Sequence, residues 1–498
     1  MRAETPQRDS RCAQATVNHT FGCNRAGHLR RACSVTVLEL PDLINVEPAQ
    51  FTAASTLELF RVLGIDEDEL IRRTGATFRL GTGIHYRNSP TDHRILAFGP
   101  HGAAAGVIPF HHYLNRARLA GAAVNINLFS PNASAAQRGR VCRTSDAGAE
   151  SLPPLAYGLN LNTEKLTQLL KVNATMNGAI AVAQPIDSVE LEPNSGYIKH
   201  LKLADGARLA ADLFIDCSGE SARLIGAALG VEYEDWSSYL PCSRVVALTT
   251  AANSDSTPVH HIAATDAGWI STTPLQQRAA HSLLYSPEFL DDDAAVAALK
   301  QHVGGFEPEA IATYEQRSGR RRGFWVRNCV AIGAAAGHVE ALDVSTLDFA
   351  RRSALTLASL LPARPASPGT AKEFNRRLSG QLESARDFAR LHYLAAAWRQ
   401  TPFWQHATST AQPESLRLRI DLFRSRGHLE LEDHPAFPAE SWVAALLSAD
   451  IWPAGYHGLL DFMDAAKLNE HYEQMRQAML ADVSRMPEQR AYLRALRN

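Results

Sequence analysis

The sequence has almost no net charge, no long apolar run and no leader-like segment, and each absence excludes a class of function. Its 498 residues carry 50 lysines and arginines against 52 aspartates and glutamates, so nothing favours nucleic acid or an anionic membrane as a partner. No apolar run approaches the roughly 18 residues of a membrane span, and MRAETPQRDSRCAQ lacks the apolar core of a secretory signal. We therefore predict a cytoplasmic globular protein that acts on a small polar molecule.

Cysteine motifs are also missing. None of the seven cysteines forms a CxxC pair or a metal-ligand spacing, which argues against a disulfide framework and against a metal site. Three of them, Cys12, Cys23 and Cys33, fall among arginines and histidines in the first 33 residues. Because residues 1–33 show neither helical nor strand periodicity, we predict that they are irregular and that regular structure begins at Ser34.

Two short glycine-containing stretches are candidates for cradling a phosphate. FGCNRAGH, residues 21–28, places Gly22 and Gly27 at the ends of a GxGxxG frame, and AIGAAAG, residues 331–337, contributes Gly333 and Gly337. In α/β folds such a stretch follows a buried strand and presents backbone N–H groups to a phosphate. Each stretch alone is more often a plain tight turn.

An acidic residue and a histidine pair add to these candidates. SVTVLEL, from Ser34 to Leu40, predicts a buried parallel strand with Glu39 at its carboxyl end, where an acid holds a ribose hydroxyl. It follows Gly27 by about 12 residues rather than the usual 20 or so, which leaves room for only a very short helix. FHHY, residues 110–113, ends a loop punctuated by proline and glycine, so His111 and His112 are equally compatible with function and with packing.

Several sequence blocks together resemble the flavin-dependent tryptophan halogenase family. They are LGIDEDELIRRTGATFRLG (63–81), GPHGAAAGVIPFHHY (99–113), DLFIDCSGESARLIG (212–226), YEDWSSYLPCSR (233–244), GWISTTPLQQR (268–278) and SGRRRGFWVRNCVAIGAAAGHVEAL (318–342). The similarity runs from Ser34 to the C-terminus, and its specificity comes from the combination. The sequence is thus identified as a divergent member of that family.

The resemblance implies an α/β fold of the FAD-binding, flavin-monooxygenase-like type, with an interleaved substrate module and a helical C-terminal part. The expected segments are 1–33 (irregular), 34–235 and 319–350 (FAD-binding module), 236–318 (substrate-module sheet) and 351–498 (helical). It also implies reduced FAD delivered by a separate flavin reductase, a halide ion, oxygen, and a small indole- or tryptophan-type substrate. A homodimer is a reasonable expectation.

The resemblance assigns roles to individual residues. Arg79 occupies the position of the family's catalytic lysine in GATFRLG, and Asp343 that of the catalytic glutamate in a segment resembling EPLES. The expected cofactor-binding residues are Gly22, Gly27, Glu39, Asp216, Gly333, Gly337 and Leu342, and the expected substrate-pocket residues are His111, His112, Trp269 and Pro274. An arginine cannot present a free amine to hypohalous acid, so a mechanism through a lysine haloamine is not expected here.

Two further departures leave alternatives open. The family's WxWxIP signature keeps only Trp269 and Pro274, and its flavin-facing loop, resembling GVGEAT, aligns with Glu47 to Thr52 without either glycine. Glu47 and Phe51 are thus expected to obstruct the flavin ring. One alternative is a hydroxylating flavin monooxygenase, and another is an impaired family member that binds a ligand or a partner. A third attributes residues 1–33 to a gene-reading error over an ordinary flavin motif.

Overall fold

A mostly parallel sheet forms one half of the fold. The structure, a computed structural model, describes residues 34–40, 47–86, 94–143, 145–146, 152, 154–252, 257–304, 308, 311–361 and 367–497, and the backbone of 11–16. The strands of this sheet lie in the order Trp325–Val326, Cys329–Ala331, Leu213–Cys217, Arg11–Thr16, Ser34–Glu39 and Ile180–Ala183. All neighbours are parallel except the first pair. Their carboxyl ends therefore meet at one edge of the sheet, where ligands bind in open α/β folds.

Arg11–Thr16 lies inside this sheet, so the prediction that regular structure begins at Ser34 is wrong. The strand pairs in parallel with Ser34–Glu39 on one side and with Leu213–Cys217 on the other. Its sequence, RCAQAT, has one β-branched residue and little apolar alternation, so pairing with its two neighbours determines its conformation more than local propensity does. The candidates Gly22 and Gly27 lie outside the described residues.

A largely antiparallel sheet forms the second half. Its strands lie in the order Ile311–Glu315, Arg244–Ala251, Arg278–Tyr285, Gly268–Pro274, His260–Ala264, Gly81–His85 and Arg94–Ala97. The last two strands precede most of the parallel sheet in sequence, so the two modules interleave along the chain, as expected. Segment 34–235 contributes to both sheets, and the finer domain boundaries stay a prediction.

A small antiparallel sheet carries the candidate site between these halves. Its strands are Ala49–Phe51, Gly158–Asn162 and Thr77–Arg79. Gly158 allows the close approach of residue 52, because a Cβ atom there would lie 2.2 Å from the Thr52 carbonyl oxygen. The backbone N–H of Phe78 donates to the side-chain oxygen of Gln489 at 2.9 Å, across a sequence separation of 411 residues. Two other small sheets comprise Ile186–Leu191, Ile198–Leu203 and Arg208–Leu209, and Tyr233–Asp235, Gly319–Arg321 and Gly337–His338.

Helices cover the sheets and form the C-terminal part, as expected. The α-helices are Leu57–Val62, Glu67–Thr74, Phe110–Leu119, Pro131–Gln137, Thr163–Met176, Asp292–His302, Thr346–Leu360, Pro368–Ala395, Pro402–Ser409, Glu414–Arg426, Ala439–Ser448, Ala465–Arg485 and Gln489–Ala495. Short 3₁₀ turns occur at Ala54–Thr56, Ile126–Phe129, Gly219–Ser221, Gly333–Ala335 and Gly458–Phe462, and a π-helical turn at Arg223–Ala228. In the part of the chain that the structure describes, no helix is both long enough and apolar enough to cross a bilayer.

The FHHY segment differs from its prediction. Phe110 begins the helix Phe110–Leu119, with Pro109 before it in extended backbone conformation, so His111 and His112 lie on a helix and not on a loop. Pro109 is compatible with this start because the N–H groups of the first turn have no intrahelical partner. Both histidines are buried.

Candidate functional site

A cavity of about 380 Å³ lies at the carboxyl edge of the parallel sheet. Residues 217–221 and 332–334, which follow two adjacent strands, form one side of it, and Glu47, Gln50 and residues 314–316 form another. The helices Thr163–Met176 and Thr346–Leu360 contribute further residues to the cavity lining. Its position and size are those of a ligand site in an open α/β sheet.

Asp216 fixes the turn that forms the first side. It is fully buried, and its Oδ1 accepts hydrogen bonds from the Ser218 backbone N–H at 2.9 Å and from the Ser218 hydroxyl at 2.6 Å. Oδ2 accepts from the backbone N–H groups of Leu224 and Ile225, both at 2.8 Å. Both carboxylate oxygens are used within the protein, so Asp216 positions the cavity wall.

Two different structural features favour glycine in the cavity wall. Gly219 and Gly333 both have φ +67°, and a Cβ atom on either would meet open space, so these turns leave room for a ligand. At Gly337 a Cβ atom would lie 2.6 Å from the Gly319 carbonyl oxygen. Gly337 is therefore required by strand packing, although it also lines the cavity.

Glu39 ends its strand at the same edge of the sheet, as predicted. Its Oε2 accepts a hydrogen bond from Lys171 Nζ at 2.6 Å, while Oε1 is buried and has no partner among the described residues. A buried acceptor without a partner is unfavourable unless a ligand supplies the donor. Together with Gly219 and Gly333, this acceptor fits the ribose and phosphates of a dinucleotide such as FAD.

Arg79 and Asp343 form a buried ion pair, although 264 residues separate them. Nη2 of Arg79 donates to Asp343 Oδ1 and to the Thr82 hydroxyl oxygen, the latter at 2.6 Å, and Nη1 donates to the Thr52 carbonyl oxygen at 2.9 Å. The Thr82 hydroxyl in turn donates to Asp343 Oδ1. Asp343 has φ +63°, a conformation that aspartate tolerates better than most residues with a Cβ atom. The structure thus brings together the two residues predicted to be catalytic.

Aromatic rings enclose the cation of this pair. The Arg79 guanidinium lies 4.6 Å from the Phe51 ring centre and 4.7 Å from that of Phe98. Phe51 also stacks on His260 with 4.2 Å between ring centres. Burial and the nearby charge of Arg79 hold the pKa of His260 well below its usual value, so His260 is neutral. The sequence analysis missed Phe98 and His260, because neither belongs to a motif and strand pairing alone brings them to Arg79.

Burial dominates the electrostatics of the pair. It raises the pKa of Asp343 and lowers the pKa of Arg79, and the attraction between the two charges opposes both changes. A guanidinium remains protonated at neutral pH even so. The site therefore offers a fixed cation beside a carboxylate that is more basic than an exposed aspartate.

The pair lies close in sequence to residues that line the cavity, while Arg79 and Asp343 are themselves not among the described lining residues. Gln50 lines the cavity, and its neighbour Phe51 points to the opposite face of the strand, against Arg79, as strand alternation requires. Val344, which follows Asp343, also lines the cavity, whereas Leu342 is buried in the core and is not among the described lining residues. The Ser345 hydroxyl donates to the Phe51 carbonyl oxygen at 2.6 Å and fastens the two segments. Of the two residues expected to obstruct the flavin ring, Glu47 lines the cavity and Phe51 is not among the described lining residues.

Trp269 and Pro274 lie on one strand of the antiparallel sheet. Trp269 is fully buried and makes edge-on contacts with Tyr86, Tyr393 and Trp404. The carbonyl oxygen of Pro274 accepts a hydrogen bond from the Thr77 hydroxyl at 2.6 Å, two residues before Arg79. Pro274 therefore supports the strand of the pair and Trp269 packs in the core. Their roles toward a substrate stay a prediction.

His111 and His112 contact a different part of the chain. Nε2 of His111 lies 2.7 Å from the Gly427 carbonyl oxygen, and His112 lies edge-on to His457 with 5.9 Å between ring centres. Burial, together with the neighbouring histidines, lowers the pKa of His112 to about 4. These contacts join the helix Phe110–Leu119 to the C-terminal helices, and the predicted substrate role of the two histidines stays untested.

Glu340 is a buried acid that the sequence analysis did not single out. Its Oε2 accepts from the Tyr393 hydroxyl at 2.7 Å and its Oε1 from the Cys242 backbone N–H at 2.9 Å. Burial raises the pKa of Glu340 to about 8, against the opposing effects of those hydrogen bonds. The native state therefore holds this proton more tightly than the unfolded chain does.

The stability of the protein is expected to decrease as the pH rises, because Glu340 then loses its proton. The Glu340 contribution is complete below its unfolded pKa and is lost as the pH rises to about 8, so we expect the free energy of unfolding to fall by roughly 2 to 3 kcal/mol between about pH 6 and about pH 9. Urea unfolding of the wild type and of Glu340→Gln across this range measures it. The variant should lose that slope, and Tyr393→Phe should move it to higher pH; parallel wild-type and Glu340→Gln curves would refute the assignment.

Comparisons with known proteins agree on one family. The family profile described as tryptophan halogenase matches residues 22–465. Tryptophan 6-halogenase SttH of Streptomyces toxytricini is 25% identical over an alignment 522 positions long, which covers 96% of each chain. Tryptophan 6-halogenase ThaL of Streptomyces albogriseolus is 27% identical over 424 residues, covering 80% of this chain and 78% of ThaL.

Solved structures extend the similarity to the whole fold. BrvH, a flavin-dependent halogenase from Brevundimonas sp. BAL3, superposes with a TM-score of 0.90 at 30% identity and covers 98% of this chain and 99% of its own. Xcc4156, a flavin-dependent halogenase from Xanthomonas campestris, superposes with a TM-score of 0.92 at 29% identity and covers 98% of each chain.

Proposed function

Because the chain belongs to the tryptophan halogenase family, we propose that it is a flavin-dependent halogenase that replaces a ring hydrogen of an indole- or tryptophan-type substrate with halogen. The family and the fold expected from the sequence are confirmed, and the comparisons do not favour the hydroxylase or the impaired-enzyme alternative. One observation supports the assignment above all: the residues at the two expected catalytic positions, Arg79 and Asp343, form a buried ion pair, and Val344, which follows Asp343, lines the cavity.

The residues present fit FAD. Oε1 of Glu39, which has no partner among the described residues, can accept from a ribose hydroxyl, and the open turns at Gly219 and Gly333 leave space for the phosphates. When bound in its reduced form, FAD supplies the reducing equivalents for oxygen chemistry, which no side chain can provide. We also propose that a separate flavin reductase delivers the reduced cofactor and that chloride or bromide is the halogen source.

Arg79 has the chemistry to hold an oxidised halide species. Its guanidinium presents several N–H donors in a fixed plane, and the Thr52 carbonyl oxygen, the Thr82 hydroxyl and Asp343 hold that plane in place. Donors that are already oriented stabilise developing negative charge without reorganisation during the reaction. The same residue cannot form a haloamine, since arginine stays protonated, so electrostatic capture is its proposed role.

Asp343 has the chemistry to accept the proton that leaves the substituted ring carbon. Burial raises its pKa, and a more basic carboxylate accepts a proton more readily near neutral pH. This role needs the deprotonated form, so turnover should decline as the pH falls through the raised pKa of Asp343. Thr82, which donates to the same oxygen, keeps the carboxylate oriented.

Product analysis tests the proposal directly. Purified protein with FAD, a flavin reductase, a nicotinamide cofactor, oxygen and bromide is incubated with indole and with tryptophan, and the products are examined by mass spectrometry. A brominated ring product, absent without bromide and without protein, is the expected result. A hydroxylated product in place of the brominated one would favour the monooxygenase alternative, and a protein that retains no FAD would contradict the proposal.

A further inference from the structure

The lining of the cavity carries acidic side chains and no cationic ones among the described residues. The described lining residues include three glutamates, Glu47, Glu220 and Glu315, and neither lysine nor arginine. Each charge lies on a different element: Glu47 precedes the strand Ala49–Phe51, Glu220 is in the turn Gly219–Ser221, and Glu315 ends the strand Ile311–Glu315. An anionic ligand that fills the cavity meets these charges at short range.

Glu47 and Glu220 both line the cavity, and the charge of Glu47 acts on Glu220. Glu47 accepts hydrogen bonds from the amide groups of Gln50 and Gln316, the latter at 3.1 Å. Oε1 of Glu220 accepts from the backbone N–H of Arg317 at 3.2 Å. Burial raises the pKa of both carboxyls, and the charge of Glu47 raises the pKa of Glu220 further. Two acids that line one cavity therefore take up a proton more readily than an isolated exposed glutamate does.

Other titratable and charged groups lie at this end of the cavity, and some of them raise or lower the pKa of Glu220. The Glu47 charge also raises the pKa of Tyr314, which stays a neutral phenol, and Glu315 adds to the repulsion on Glu220, while Arg317 opposes it. Burial lowers the pKa of the lining His338 to about 4, so that ring is neutral. Glu220 and Glu315 are both exposed, whereas Glu47 is partly buried, and Glu315 also pairs with Arg244 at 3.5 Å.

We propose that flavin binding in this cavity is coupled to the uptake of one proton by the Glu47–Glu220 pair. The inference rests on the proposed function, since it takes flavin as the ligand. A flavin ring displaces the water that solvates the two carboxylates, and a dry site disfavours the charged form. The reduced ring adds a like charge when it is anionic, so the coupling is stronger for reduced than for oxidised FAD.

The test is the pH dependence of FAD affinity. Oxidised FAD is titrated into the wild type and into Glu47→Gln from about pH 5 to about pH 9, with flavin fluorescence as the readout. Affinity should fall with rising pH in the wild type, approaching about tenfold per pH unit over part of the range, and Glu47→Gln should be nearly independent of pH. Glu440→Gln is the matched control, because Glu440 is exposed and is not among the lining residues of the cavity, and it should keep the wild-type profile.

Calorimetry provides a measurement that needs no variant. Binding enthalpies for wild-type protein and FAD in buffers of different ionisation enthalpy should report uptake of about one proton near neutral pH. Superimposable profiles for the wild type and Glu47→Gln, or no proton uptake, would overturn the inference and leave the proposed function intact. Absence of FAD binding at every pH would overturn both.

Discussion

Replacing Asp343 with asparagine is expected to lower the halogenation rate by about 1,000-fold, because it removes both the proton acceptor and the counter-charge of Arg79. Asparagine has nearly the same shape and can still accept from the Thr82 hydroxyl, so local geometry should be retained. FAD affinity should change by less than about threefold, since neither residue of the pair is among the described lining residues of the cavity. Single-turnover product formation and FAD titration measure the two effects.

The effects of the Arg79–Asp343 pair on stability and on catalysis can be measured separately. A lone buried charge costs roughly 3 to 5 kcal/mol of stability, whereas an apolar pair of similar volume is often neutral. The double variant Arg79→Met with Asp343→Asn leaves no lone charge and keeps a residue that tolerates the positive φ of this position. It should therefore melt above Asp343→Asn and still be inactive, while Asp343→Glu should keep partial activity. A rate for Asp343→Asn within about threefold of the wild type would exclude the proposed role.

Replacing Asp216 with alanine is expected to lower the free energy of unfolding by roughly 4 kcal/mol and to abolish FAD retention. The substitution removes the acceptor for three backbone N–H groups and one hydroxyl in a fully buried turn. The same turn forms the cavity wall at 217–221, so its loss should disorder the binding site before the rest of the sheet. Urea unfolding and flavin content after gel filtration measure the two effects.

A graded series distinguishes this role from a general effect of removing an acid. Asp216→Asn keeps the shape and one acceptor oxygen, so it should lose roughly half as much stability as the alanine variant. The exposed Asp293 serves as control, and Asp293→Asn should change stability by less than about 0.5 kcal/mol. Full FAD retention by Asp216→Ala would show that the turn does not depend on its carboxylate.

The sequence predicted the positions of candidate site residues best where those residues belong to a recognisable motif or strand. Arg79 and Asp343 each lie in a recognisable block, so their pairing followed from the resemblance even though 264 residues separate them. Glu39 was predicted from its strand alone, because an acid at the carboxyl end of a parallel strand has few structural reasons to be there.

Prediction from the sequence failed where tertiary contacts determine the conformation of a segment or the position of a side chain. Arg11–Thr16 has little strand propensity and owes its conformation to two partners distant in sequence. Phe51 was expected to obstruct the flavin ring, but the pairing of Ala49–Phe51 with Gly158–Asn162 places its ring against Arg79. His111 and His112 form part of a buried helix, because the helices they contact come more than 300 residues later.

The hydrogen bond from Phe78 to Gln489 sets a temporal order for the assembly of the site. The strand that presents Arg79 is synthesised early, yet one of its backbone donors finds its acceptor only after residue 489 has been made. Contacts of such long range form late, because the intervening chain must first be ordered. A nascent or truncated polypeptide that already folds its nucleotide-binding sheet would thus hold Arg79 imperfectly. We therefore expect Arg79 to reach its final position only when the chain through Gln489 is present and folded.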